Sequence, residues 1–77
     1  MAKKGVDCMD MIPVMSSNIA FIGYDAKTYT LRIVFRYGVY EYHGVNRKIF
    51  DQFLVAPSKG KFFNTFIKNR YPRVKIN

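Results

Sequence analysis

Tyr29-Thr30-Leu31-Arg32-Ile33-Val34-Phe35-Arg36-Tyr37-Gly38-Val39-Tyr40-Glu41-Tyr42-His43 alternates two sets of side chains on either side of a single glycine. Successive side chains of a strand point to opposite faces of a sheet, so a period of two marks a half-buried strand. Tyr29, Leu31, Ile33, Phe35 and Tyr37 form one set, and Thr30, Arg32, Val34 and Arg36 the other. Gly38 lets the chain reverse, and residues 39–43 resume the alternation. With Tyr37-Gly38 as the two-residue turn, Phe35 faces Tyr40, Ile33 faces Tyr42, Arg36 faces Val39 and Val34 faces Glu41. Leu31, Ile33, Phe35, Tyr40 and Tyr42 then share one side. A slip of one residue would mix the faces. His43 falls on the outer side, beside Arg32, as a surface residue.

Upstream, residues 19–24 (Ile-Ala-Phe-Ile-Gly-Tyr) are an apolar run of strand length, and Asp25-Ala26-Lys27-Thr28 is its connection to the hairpin. Asp25 suits a turn because its carboxylate can accept from its own downstream backbone. Met11-Ile12-Pro13-Val14-Met15 reads as an extended lead-in, and residues 1–10 as a mobile leader. Downstream, Asn46 is an N-cap, with Val45 and Phe50 spaced as a hydrophobic staple. The spacing predicts a helix from Arg47 to Val55 that buries Ile49, Phe50, Phe53 and Leu54 and stops at Pro57. Ser58 caps a second helix, Lys59 to Asn69, burying Phe62, Phe63, Phe66 and Ile67, with Lys61, Asn64, Thr65 and Lys68 opposite. Arg73-Val74-Lys75-Ile76 is a short basic extension.

The expected fold class is therefore α+β: a small antiparallel β-meander of about three strands packed against two C-terminal helices, one domain over residues 11–77. The chain is only 77 residues long, near the lower size at which one apolar core suffices. Seven Phe and six Tyr compensate, since each buried ring removes roughly 150–250 Å² from water. Cys8 is the only cysteine, which excludes a disulfide framework. No apolar run approaches the roughly 18 residues of a membrane span, and no signal core follows Met1. A cytoplasmic protein is the expectation.

The formal charge of +8 is unevenly placed. Residues 1–42 carry five bases and four acids, whereas residues 43–77 carry eight bases against Asp51 alone. A basic half joined to a near-neutral half suits a polyanion partner. Catalysis has no constellation to support it: one histidine, scattered acids, no base near Ser16-Ser17 and no glycine-rich phosphate loop. Nor do the ligands for a metal occur at metal-binding spacing. The reading is a non-enzymatic binding module without cofactor or metal.

RNA or another nucleic acid is the first partner considered, held through Lys59, Lys61, Lys68, Arg70 and Arg73, with Asn64 nearby. Ser58-Lys59-Gly60-Lys61 is the most ligand-like stretch, a capped helix start with two lysines. Tyr40 and Tyr42 are either core or a stacking or pocket-lining pair, as sheet aromatics are in several RNA-binding modules. A second reading is a pocket that binds or sequesters a small, including cyclic, nucleotide. A third is a protein-interaction surface around Val34 and Val39, for an acidic partner or a second copy of the chain.

Ser16-Ser17-Asn18-Ile19, Ile22-Gly23-Tyr24-Asp25, Val39-Tyr40-Glu41-Tyr42, Ala56-Pro57-Ser58-Lys59-Gly60-Lys61-Phe62-Phe63-Asn64 and Arg70-Tyr71-Pro72 occur in one order over residues 12–73. As a set they resemble the KTSC domain. That family is named for its occurrence at the C-terminus of some lysyl-tRNA synthetases, and it also forms small stand-alone bacterial and phage proteins. The resemblance implies a tyrosine-x-tyrosine centre, here Tyr40-Glu41-Tyr42, and a suggested RNA-binding role. It implies no tRNA-charging activity. Many members carry a longer, glycine-richer turn where this chain has Tyr37-Gly38, so a tighter hairpin tip is expected.

Overall fold

The computed structural model describes residues 10–76. The leader expected over residues 1–10 lies outside them except for Asp10, and so does Cys8. Five antiparallel strands form one sheet in sequential order: β1 (Ile12–Pro13), β2 (Ile19–Asp25), β3 (Thr30–Phe35), β4 (Gly38–His43) and β5 (Arg73–Lys75). Between β4 and β5 lie α1 (Arg47–Val55) and α2 (Lys59–Phe62), the latter continuing into a π-helical turn, Phe63–Ile67. The α+β class is as expected, with two more strands than the alternation revealed. The lead-in and the basic extension are short edge strands, β1 on β2 and β5 on β4.

Local chemistry explains each boundary. Asp25 Oδ1 accepts from the Lys27 backbone N–H at 3.0 Å, and Tyr29 takes a left-handed φ of 56° to bring the chain into β3. Gly44, at φ +80°, is where β4 turns off toward α1, a conformation that L side chains rarely adopt. Asn46 Oδ1 accepts from the Ile49 N–H at 3.0 Å, which makes it the N-cap of α1. Beside it, Val45 and Phe50 are both buried. Ser58 Oγ accepts from the Lys61 N–H at 3.3 Å and starts α2.

The hairpin register differs from the expected one by two residues. Ile33 faces Tyr40, Leu31 faces Tyr42, Arg32 faces Glu41 and Thr30 faces His43, so the turn is Arg36-Tyr37 and Gly38 opens β4 opposite Phe35. A shift of two preserves the side to which every residue points. The predicted faces therefore stand and the predicted partners do not. The physical reason lies at the tip, where Arg36 is claimed by the neighbouring segment. Its backbone N–H donates to Asn18 O at 3.0 Å and its Nε to Ser17 O at 2.5 Å. Gly38 leaves no side chain opposite Phe35, whose ring is met instead by Tyr37 in a stack and by Tyr40 and Phe63 edge-on.

The helices cover one face of the sheet. Ile19, Ile22, Leu31, Ile33, Phe35 and Tyr42 point into a core closed by Phe50, Phe53, Phe63 and Ile67. Tyr24 stacks on Phe50 at 5.2 Å and donates its hydroxyl to Val45 O at 2.5 Å, fastening β2 to the start of α1. On the other face, Pro13, Phe21, Val34 and Val39 stand opposite one another in successive strands, and the Ile76 N–H bonds Val39 O. One apolar row thus crosses the sheet, next to the Arg32–Glu41 ion pair at 2.6 Å.

Phe66 departs from expectation. An α-helical phase would bury it with Phe62, Phe63 and Ile67, but the π-turn bonds the Lys68 N–H to Phe63 O at 2.8 Å, five residues back. Phe63 and Ile67 are buried, Phe62 lies half-buried on Phe53, and Phe66 is 45% exposed on the outer side of Phe62. Phe53→Ala should therefore cost about 3–5 kcal/mol. Phe66→Ala should cost about 1 kcal/mol or less, as an exposed ring would. Urea denaturation of the two variants checks this ordering, and equal losses would contradict the π-turn.

Candidate nucleic-acid interface

The expected binding residues do not form one surface. Lys59 Nζ donates to Ala56 O at 2.6 Å, so this ammonium sits on the C-terminal end of α1, where the helix leaves carbonyls unpaired and partly negative. Ser58 is engaged as the cap. Lys61 projects on the far side of α2, lining an apolar groove with Pro57, Phe62, Thr65 and Phe66. Arg70 bonds Thr65 O at 3.1 Å and closes the π-turn. The structure thus separates Lys61 from Lys68, which an unbroken α-helix would have placed on one face.

Three of the expected residues do converge. Asn64 and Lys68 from the second helical segment and Arg73 from β5 line a cleft of about 260 Å³, with Asn18, Tyr37 and Tyr42. The fold brings them together in two ways. Lys68 leaves the π-turn with extended backbone (φ −60°, ψ 130°), and Asn69 at φ 68° then reverses the chain toward β5. In β5, Arg73 pairs with Tyr42 and Lys75 with Tyr40, so both cations lie on the helix side of the sheet. Tyr42, Lys68 and Arg73 also border an adjoining hollow with Asn69 and Tyr71.

The electrostatics of the cleft are one-sided. Among the described residues, no carboxylate lines it. Of the described acids, Glu41 pairs with Arg32 on the opposite face, Asp51 with Arg47 on α1, Asp25 holds its turn and Asp10 lines a hollow beside Arg47. Lys68 and Arg73 are exposed and have no acidic partner among the described residues. The Arg73 guanidinium lies 5.0 Å from the centre of the Tyr40 ring, and its charge acts on the Tyr42 hydroxyl. The cation–π contact with Tyr40 holds a long side chain in place at the rim.

Tyr40 and Tyr42, left open between core and ligand, have different surroundings. Tyr42 is 1% exposed and belongs to the core, meeting the edge of Phe63, with only its hydroxyl end at the cleft. Tyr40 is half-buried beneath Arg73. The exposed ring is that of Tyr37, stacked on Phe35 at 5.1 Å with 68% of its surface in solvent. Sequence reasoning put Tyr37 in the turn and overlooked it as a binding residue. An aromatic ring at a hairpin tip was the available signal. Asn18 carried no signal, because its place in the cleft depends on the turn it supports.

Among the described residues, no three His, Cys, Asp or Glu side chains are grouped to hold a metal, and no helix is long and apolar enough to cross a membrane.

A five-stranded antiparallel sheet backed by a short helix pair, with a cation-rimmed cleft at the β4–β5 edge, defines a small α+β module. Residues 15–71 match the KTSC domain. A crystal structure of a KTSC domain protein from Yersinia pestis superimposes with a TM-score of 0.89 at 42% identity, covering 91% of this chain and all of that one. A protein from Tsukamurella paurometabola is 39% identical over 67 residues, 86% of this chain and the whole of its own length. A lysine–tRNA ligase from Nostoc punctiforme is 45% identical over 56 residues, 71% of this chain but 10% of the ligase. The chain belongs to the KTSC family.

Burial raises the pKa of the Tyr42 hydroxyl above its ordinary value of 10.0, against the opposing charge of Arg73. Burial also raises that of Tyr24. A group that holds its proton longer when folded stabilises the fold fully below its unfolded pKa and loses that contribution as pH rises through the folded one. Stability should thus be insensitive to these hydroxyls at neutral pH and fall above about pH 10. Tyr42→Phe should flatten part of that alkaline slope and leave the part due to Tyr24. Urea denaturation across a pH series measures both.

Proposed function

We propose that this KTSC domain binds nucleic acid, RNA in the first place, with a phosphate held between Lys68 and Arg73 in the cleft at the β4–β5 edge. The observation that carries the reading is the convergence of two cations, neither with an acidic partner among the described residues, with Asn64 and Tyr42 in a cleft that no described carboxylate lines. Cations left without partners repel one another, and a bound anion relieves that repulsion. Arg73 is positioned over the Tyr40 ring, so it contacts an incoming phosphate with less loss of side-chain freedom. Charge outside the cleft points the same way: Lys75 follows Arg73 along the edge strand, and Arg70 lies near the end of the π-turn. One relative is a tRNA ligase, a protein that acts on an RNA, which favours RNA over other polyanions.

The cleft volume supports a second reading, a free nucleotide. At about 260 Å³ the space falls just below the roughly 300–1,000 Å³ of small-molecule pockets and suits one nucleotide at a time. The readings differ in their dependence on chain length. An oligonucleotide engages the surrounding cations as well and should bind far more tightly than its monomer.

Phosphate contacts displace counterions, so RNA affinity should fall steeply between about 50 and 200 mM salt. A Lys68→Ala, Arg73→Gln double variant, with folding checked by a thermal melt, should lose affinity and reduce the salt slope by roughly 0.7, the amount for one neutralised phosphate on a single strand. Fluorescence anisotropy with labelled oligonucleotides measures both quantities. An unchanged slope in the folded double variant would refute this placement. Tight binding of mononucleotides with no gain on lengthening would select the second reading.

A further inference from the structure

We infer that the cleft accepts an unpaired nucleotide, with its base stacked on Tyr37 and its phosphate held by Lys68 and Arg73, so that the domain selects single-stranded over double-stranded nucleic acid. This rests on the preceding reading of the cleft as a phosphate site and adds what selects the strand. Tyr37 occupies the two-residue tip of the β3–β4 hairpin, where a large ring is left 68% exposed. One face of the ring lies on Phe35 at 5.1 Å and an interplanar angle of 14°, and the edge of Tyr40 approaches at 6.4 Å. Phe35 is itself 6% exposed and fixed edge-on by Phe63. Tyr37 is therefore a platform laid on the core, with its remaining face open to solvent.

Tyr37 lines the same cleft as Lys68, Arg73 and Asn64. A stacking surface and a pair of phosphate-binding cations thus border one space large enough for about one nucleotide. A π-face suits any base, so the platform gives strand selection rather than sequence readout. In a duplex both faces of each base are covered by neighbours, and a ring at a hairpin tip has no base face to meet. The Asn64 amide, with a donor and an acceptor, is the polar group on the helix side of the cleft that can bond a base edge or a ribose hydroxyl.

The test compares wild type, Tyr37→Phe and Tyr37→Leu in binding a fluorescein-labelled single-stranded RNA decamer, the same strand in a duplex, and the strand with abasic positions. Wild type and Tyr37→Phe should bind the single strand comparably and prefer it to the duplex. Tyr37→Leu should weaken binding roughly 5- to 150-fold, the range for loss of one base–aromatic stack. Its salt slope should be unchanged, since no phosphate contact is removed. The abasic strand should erase the difference between wild type and Tyr37→Leu. Tyr37→Trp supplies a second measurement that does not depend on the Leu variant folding: its indole fluorescence should be quenched by the single strand and not by the duplex. Equal affinity of Tyr37→Leu and wild type, or duplex binding as tight as single-strand binding, would overturn the inference. If Lys68 and Arg73 still govern affinity in that case, the phosphate site stands without the platform. Failure of wild type to bind any of the three probes would sink both.

Discussion

Phe63 packs edge-to-face with two sheet rings at once, Phe35 at 5.2 Å and Tyr42 at 5.6 Å, and the rest of the molecule is arranged around that contact. Edge-to-face packing sets the orientation as well as the distance of the rings, so this one residue fixes where the second helical segment lies over the sheet. Phe35, held from this side, carries Tyr37 on another. Tyr42, held likewise, directs its hydroxyl to Arg73. The floor of the cleft is therefore core, and its two rims, Tyr37 and Arg73, are each one contact away from the anchor. A chain of this size has little interior to spare, and here the same rings stabilise the fold and shape the site.

The π-turn follows from the same constraint. It begins at Phe63, and its i to i+5 bond ends at Lys68. The widened turn leaves Phe63 and Ile67 facing the sheet while Phe62 and Phe66 move to the flank. Lys68 comes out at the end of the turn with extended backbone, beside the strand that bears Arg73. Wide turns of this kind are frequent at functional sites. In this case the turn ends at Lys68, a cleft cation with no acidic partner among the described residues.

Much of this was legible in the residues. Period-two alternation located β3 and β4 and assigned their faces correctly, and Asn46 and Ser58 marked the helix starts that the structure has. The alternation could not fix the hairpin register, because a period of two is blind to a slip of two. Gly38 pointed to the wrong turn because the bonds that decide it come from Ser17 and Asn18, far away in the sequence. β1 was too short to show a period, and the alternation of Arg73 to Ile76 was too brief to mark more than an extension rather than an edge strand. The helix phase failed after Phe62, where a hydrogen-bond pattern rather than a propensity changes. Of the site, residue types were readable and assembly was not. Lys59, Lys61 and Lys68 look alike in the sequence, yet one caps a helix, one flanks an apolar groove, and only Lys68 reaches the cleft.

The apolar row from Pro13 to Ile76 and the Arg32–Glu41 pair leave the outer face of the sheet close to electrically neutral. Arg73, Lys75 and Lys68 all lie toward the helices or the β4–β5 edge. The domain is thus a dipolar body and not a uniformly charged bead. In the field of a polyanion such a body experiences a torque as well as an attraction, and the torque acts before any contact forms. It turns the cleft edge forward and the neutral face back, so encounters begin in a restricted set of orientations. The asymmetry also lets a strongly basic protein approach other apolar surfaces from behind without electrostatic opposition.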